Sequence, residues 1–228
     1  MMILAYDSSS EVLSLALFDN DKKIGELDSP LFTRHSATLA PSLDILLKAH
    51  KMKIQDVDVF AVGLGPGSFT GLRVGVTTAK VLAYALDKKI VGVSSLEALA
   101  YGVASNGDGM IAVILDAKKG KLYAALYENR NGKLRVTKKP ALANADTFFR
   151  EIKKPTVFVG DGIGLYRDRI QGIKRPPCRM VEEKEAQHPK ASHIAQAAFR
   201  MIKEKKFANP FDLEPMYLHA RTCNVVKK

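Results

Sequence analysis

The residues of this 228-residue chain best placed to do chemistry are a run of glycines. Gly63, Gly65 and Gly67, with Pro66, break an apolar run carried by Val57, Val59, Ala61 and Val62. Ser68 and Thr70 follow as candidate caps of a helix over residues 71–86. Unpaired backbone N–H groups at such a helix start sit at the positive end of the helix dipole and can cradle an anion. The glycines also suit close packing. Gly71 and Gly75, four apart, leave one helix face without bulk, so that a second helix can close on it. Lys80 lies too far along for a Walker loop, and the dinucleotide fingerprint is incomplete, so packing is the preferred reading.

No other catalytic set is visible. His35, His50, His188, His193 and His219 show no metal spacing, and a packed or solvated role is the expectation for each. Cys178 and Cys223 lie beside no candidate base, and no Gly-x-Ser-x-Gly elbow is present. Two distant cysteines also make no disulfide framework, which points to a reduced, cytoplasmic compartment. No apolar run approaches the ~20 residues of a membrane span. The first strand runs straight into Asp7, so no signal-peptide core is expected.

The elements that must position these residues repeat. Residues 5–20, AYDSSSEVLSLALFDN, match residues 114–129, ILDAKKGKLYAALYEN, at Asp7/Asp116, Leu13/Leu122, Ala16/Ala125, Leu17/Leu126 and Asn20/Asn129. Each copy reads as strand, polar turn, strand. A third strand, a helix, another strand, a Gly turn and a further helix follow in both halves. The second Gly turn is Gly160-Asp161-Gly162-Ile163-Gly164. The sequence therefore predicts a duplicated α/β fold of two lobes, residues 1–103 and 104–228, with mixed sheets flanked by helices. The net charge of +11 is uneven: residues 1–103 hold 10 Lys+Arg against 11 Asp+Glu, and residues 104–228 hold 25 against 13. A polyanion such as RNA is one explanation, and a solvated basic surface is the other.

This plan resembles the actin-like and sugar-kinase superfamily, of ribonuclease H-like topology. The resemblance implies a cleft in which Asp7, Ser8, Ser9 and Ser10 face Gly160, Asp161, Gly162 and Gly164 as nucleotide-binding groups or the relics of such groups. Asp and Ser also cap turns of their own, the alternative role of Asp7. More closely, ILAYDSSSEVLSLAL, HSATLAPSLDILL (residues 35–47), AVGLGPGSFTGLRVGVTTAK and VGVSSLEALA resemble the TsaB (YeaZ) family. The likeness is close over residues 1–105 and looser beyond, where residues 160–166 and EPMYLHAR at 214–221 stand out.

The resemblance implies a part in forming threonylcarbamoyl-adenosine next to the tRNA anticodon. The transferase there is a TsaD-type paralogue, which this chain would scaffold and activate beside a TsaE-type ATPase. ATP or ADP and metal would belong to those partners, with no cofactor here. The paralogue's metal-binding histidines align with Ser95 and Leu99, which make poor ligands. The family's partner surface maps to His35, Leu39, Leu43, Gly71, Val74, Gly75, Thr78 and Leu82, with a homodimer in isolation and tRNA reached through the assembled complex. On this reading a charge at Gly75, Val74 or Thr78 blocks association and leaves the monomer folded. A stand-alone actin-like ATPase or phosphotransferase using Asp7, and an RNA-binding module, are the competing function classes. The tail is expected to pack back on the first lobe.

Overall fold

Strand β1 (Met2–Asp7) is apolar from Ile3 to Tyr6 because it runs through the middle of a sheet, buried on both faces. A computed structural model describes residues 1–30 and 35–218 of the chain. In the first lobe β1 pairs antiparallel with β2 (Val12–Asp19), which pairs with β3 (Lys22–Pro30). Helix α1 (His35–Ala49) leads to β4 (Val59–Gly63), parallel to β1. Helix α2 (Phe69–Ala85) then returns the chain to β5 (Lys89–Val93), giving the order β3-β2-β1-β4-β5.

After α3 (Ser95–Ala104) the plan recurs. Strands β6 (Gly109–Asp116), β7 (Lys121–Arg130) and β8 (Lys133–Asn144) form the antiparallel part. Helix α4 (Ala145–Arg150), β9 (Thr156–Val159), α5 (Gly162–Gln171) and β10 (Cys178–Met180) complete it, in the order β10-β9-β6-β7-β8. The short β10 has no sequence counterpart strong enough to announce it. Among the described residues no helix is long and apolar enough to cross a membrane.

The last helix, α6 (Ala191–Lys203), leaves the second lobe. Its Ala191, Ala195, Ala197 and Ala198 pack with Ile3, Ala5, Ala16 and Ala61 on the first sheet, opposite α1 and α2. Small residues on both sides let the helix lie close to the strands. The Ala191 amide donates to Ser14 Oγ at 2.8 Å, and Arg200 reaches Glu97 Oε1 at 2.7 Å and the Leu134 carbonyl at 3.3 Å, tying the lobes together. Beyond α6, Ala208 bridges Ile90, Met216 N–H donates to the Leu64 carbonyl and Leu213 enters the first core. The first lobe is therefore assembled from residues 1–103 and a returning segment, 191–218, because its sheet has an apolar face that Ala98 and Tyr101 of α3 cover only in part.

Candidate functional site

Asp7 ends β1 with its side chain fully buried, and every route to its carboxylate is occupied. Ser9 donates to Oδ1 through its amide at 2.7 Å and its hydroxyl at 2.6 Å; Ser95, at the start of α3, donates to Oδ2 at 2.5 Å. Gly63 closes the last side, where an added Cβ would stand 1.9 Å from Oδ2. Ser95 also exchanges hydrogen bonds with Gly65, whose amide donates to Ser95 Oγ at 3.0 Å and whose carbonyl accepts from the Ser95 amide at 2.9 Å. Burial pushes the Asp7 carboxyl above its ordinary value, against the opposing pull of the Ser9 and Ser95 bonds. Asp7 joins the end of β1, the Gly turn and the start of α3, as a structural hub.

The turn after β4 follows the same logic. Ser68 is the cap of α2, accepting from the Gly71 amide at 3.2 Å, and its own amide donates to the Ser9 carbonyl at 2.7 Å. Thr70 lies within the helix, not at its cap. The donors expected to cradle an anion are thus partly engaged inside the chain.

Between the lobes lies a cleft of about 700 Å³ lined by Ser9, Ser10, Asp116, Lys118, Tyr123, Asp161 and His188 among others. Of the expected nucleotide groups it holds Ser9, Ser10 and Asp161, but not Asp7, Ser8, Gly160, Gly162 or Gly164. Ser8 instead donates to the Gly71 carbonyl at 2.9 Å beneath α2. Gly160 (φ +109°) and Gly162 back onto the Ile114 carbonyl, and Gly164 faces open space. The Asp7/Asp116 match is also shifted in register. Asp7 pairs with Ser14 and Asp116 with Leu122, so the second hairpin closes one residue sooner. That slip turns Asp116 to the opposite sheet face, with Ile114 and Ala124. Its carboxylate pairs with Lys118 at 2.7 Å, and its amide donates to Asp161 Oδ1 at 2.9 Å. Among the described residues no three His, Cys, Asp or Glu side chains form a metal-holding group.

The α1–α2 surface requires correction at the residue level. Gly71 and Gly75 face the chain's own β1: Tyr6 Oη donates to the Gly75 carbonyl at 2.9 Å, and a Cβ at Gly75 would meet Ser8 Oγ at 2.2 Å. The missing side chain at Gly75 makes room for Tyr6 and Ser8, so a charge at Gly75 strikes the fold itself. Leu39 and Leu43 are buried in the first core, with Val74 and Leu82 packed at its margin. Thr78 is half-buried, and the His35 side chain lies outside the described residues. What α1 and α2 present outward is Ile45 (59% exposed), Phe69, Val81 (58%) and Tyr84 (66%). Phe69, Arg73, Thr77, Val81 and Tyr84 recur at helical spacing, a signal the sequence carried. The returning segment borders this face. Phe211 packs on Tyr84 and Tyr217 on Phe69 with centroids 5.0 and 5.5 Å apart, and Lys80 Nζ donates to the Phe211 and Leu213 carbonyls. His219 and Cys223 lie outside the described residues.

Comparison with known proteins gives a family match, two relatives and two solved structures. The family described as "TsaD: tRNA N6-adenosine threonylcarbamoyltransferase" matches residues 31–216. The Bacillus subtilis "tRNA threonylcarbamoyladenosine biosynthesis protein TsaB" is 37% identical over 225 residues, covering 96% of this chain and 94% of that one. Its Escherichia coli namesake is 28% identical with the same coverage. Among solved structures, a Pseudomonas aeruginosa protein "with similarity to peptidase YEAZ" superposes with a TM-score of 0.83 at 24% identity, over 96% of this chain and 99% of that one. An Arthrobacter inorganic polyphosphate/ATP-glucomannokinase shares the fold at a TM-score of 0.51 and 12% identity, covering 87% of this chain and 99% of that one.

Proposed function

The chain belongs to the TsaB (YeaZ) family, and from that premise we propose that it serves tRNA threonylcarbamoyladenosine biosynthesis as a non-catalytic partner that activates a TsaD-type subunit. The observation that carries the reading is the closure around Asp7. The carboxylate that would orient a phosphate in an actin-like enzyme is enclosed by Ser9, Ser95 and Gly63 and does not line the cleft. In this reading the work of the chain lies on its surface, at the apolar outer sides of α1 and α2. Ile45 on α1 and Val81 and Tyr84 on α2 are exposed large apolar side chains, which favour burial against another protein. A paralogous partner offers similar helices, so a homodimer competes with the heteromer, and differential affinity sets the outcome. Nucleotide, metal and any TsaE-type ATPase act on the partner's side of the assembly.

Sedimentation velocity of the full chain with the matching TsaD-type protein tests the docking surface. Ile45→Asp and Val81→Asp, both at exposed positions, are expected to weaken association at least about tenfold with unchanged circular dichroism, since each buries an unpaired charge. Asp7→Asn is expected to associate normally. Undiminished association of both surface variants removes this face from the reading. Nucleotide turnover by the pure chain, abolished by Asp7→Asn, would replace it with a lone phosphotransferase.

A further inference from the structure

The duplicated fold supplies its own control for the charge asymmetry. In both sheets the parallel strands begin at the end away from the cleft. In the second lobe that end gathers the approaches to β9 and β10 and the β7–β8 turn, since Thr156 pairs with both Met110 and Cys178, and Arg130 with Lys133. Lys153 and Lys154 precede β9, Lys174 and Arg175 precede β10, and all four are exposed. Neither approach, 152–155 or 172–177, contains an acid, and the acids at this end, Asp108, Glu128 and Glu151, are engaged by the Asn131 amide, Arg130 and Lys138. None of the four forms a close ion pair with a described residue, although Lys154 acts on Glu128 at longer range, whereas neighbouring Arg130, Lys138, Arg167 and Arg169 are all paired.

The same end of the first lobe mixes Lys51, Lys53, Lys88 and Lys89 with Asp19, Asp21, Asp56, Asp58 and Asp87. The fold therefore tolerates a neutral rim here. Helix dipoles do not demand the excess either, because Arg150 and Arg169 already occupy the last turns of α4 and α5. The approaches to β9 and β10 are neighbours, one strand spacing of ~4.8 Å apart, so the four cations form one patch. Four such charges suit on the order of four phosphates of a nucleic-acid backbone.

We propose that the rim formed by Lys153, Lys154, Lys174 and Arg175 binds the phosphate backbone of a structured RNA. The proposal extends the reading above by giving the second lobe direct contact with the RNA on which the assembly acts. The test uses fluorescence anisotropy of a labelled, folded tRNA transcript with the full chain between about 50 and 200 mM salt. The variant Lys153→Gln/Lys154→Gln/Lys174→Gln/Arg175→Gln is expected to bind at least about tenfold more weakly, with its log–log salt slope reduced by roughly 3. A first-lobe control, Lys51→Gln/Lys53→Gln/Lys88→Gln/Lys89→Gln, loses the same charge and is expected to change affinity less than about threefold. Equal losses in both variants overturn the proposal, because net charge alone would then explain binding. So does the absence of wild-type binding at about 10 µM chain and low salt. Binding to phosphatidylserine vesicles without binding to the transcript overturns it in favour of a lipid surface. Association with the TsaD-type protein, measured on the same variants, is expected to persist. Loss of the RNA effect with association intact refutes only the rim, and failure of Ile45→Asp to weaken association refutes only the docking face.

Discussion

Gly75→Ala places one methyl group where α2 leans on β1, and its cost follows from the local geometry. The added Cβ would stand 2.2 Å from Ser8 Oγ, 3.4 Å from Ser8 Cβ and 3.6 Å from Tyr6 Cε2. Ser8 cannot yield without losing its 2.9 Å bond to the Gly71 carbonyl. Overpacking at such a site costs about 1–3 kcal/mol. The displaced hydrogen bond adds about 1 kcal/mol, and alanine's helix preference over glycine returns about 1 kcal/mol. The expected net loss is about 1–3 kcal/mol, a fall in Tm of roughly 2–12 °C for a chain of this size. Ser8→Ala alone loses only the hydrogen bond, about 1 kcal/mol. In Ser8→Ala/Gly75→Ala the clashing oxygen is gone, so the pair is expected within about 1 kcal/mol of wild type, a coupling of about 2 kcal/mol. Urea unfolding followed by circular dichroism at one fixed protein concentration measures all four corners, since self-association shifts apparent stability. Additive single effects would refute the steric account, and an unperturbed Gly75→Ala would return Gly75 to the outer surface.

Asp7→Asn removes the ionisable group and keeps an acceptor for Ser9, but its amide can only donate to Ser95 Oγ, which reverses that bond. Burial raises the Asp7 carboxyl above its unfolded value, so the folded chain holds that proton more tightly. Its stabilising contribution is full below the unfolded value and lost as pH rises through the folded one. Asp7→Asn is therefore expected to fare better relative to wild type as pH rises through the folded value of Asp7, and worse in acid; urea midpoints across pH check this. Leu213→Ala empties the point where the returning segment enters the first core, and is expected to cost about 2–3 kcal/mol and to admit proteolysis near residues 209–218. Ser68→Ala removes the α2 cap and is expected to cost about 1 kcal/mol by the same unfolding assay.

The alternation of strand, turn and helix was legible because each apolar run stops at a residue that stops it physically. Asp7, Gly63, Gly65 and Gly160 all stand at such ends. The doubled plan was legible for the same reason. Its register was not, because a hairpin one residue shorter leaves the pattern of leucines intact while turning Asp116 to the other face. The Gly71/Gly75 face was recognised as a close-approach surface, but spacing cannot say whether a strand of the same chain or a partner's helix approaches. Its occupant proved to be Tyr6 and Ser8. Leu39 and Leu43 were drawn from the same two helices but point inward. The crossing of α6 onto the first sheet had no local signal. It becomes intelligible only when the small residues Ala5, Ala16 and Ala61 are seen to need an equally small cover.

Reconstituted tRNA threonylcarbamoylation most directly tests the claim that this chain acts by docking and not by chemistry of its own. The assay combines the matching TsaD-type subunit and TsaE-type ATPase with the wild-type chain, Asp7→Asn, Ile45→Asp/Val81→Asp, or no chain. The account predicts full modification with wild type and Asp7→Asn, and at least about a tenfold loss with the surface variant or none, in line with a weakened complex. Loss of modification with Asp7→Asn, accompanied by full activity of Ile45→Asp/Val81→Asp, would contradict it.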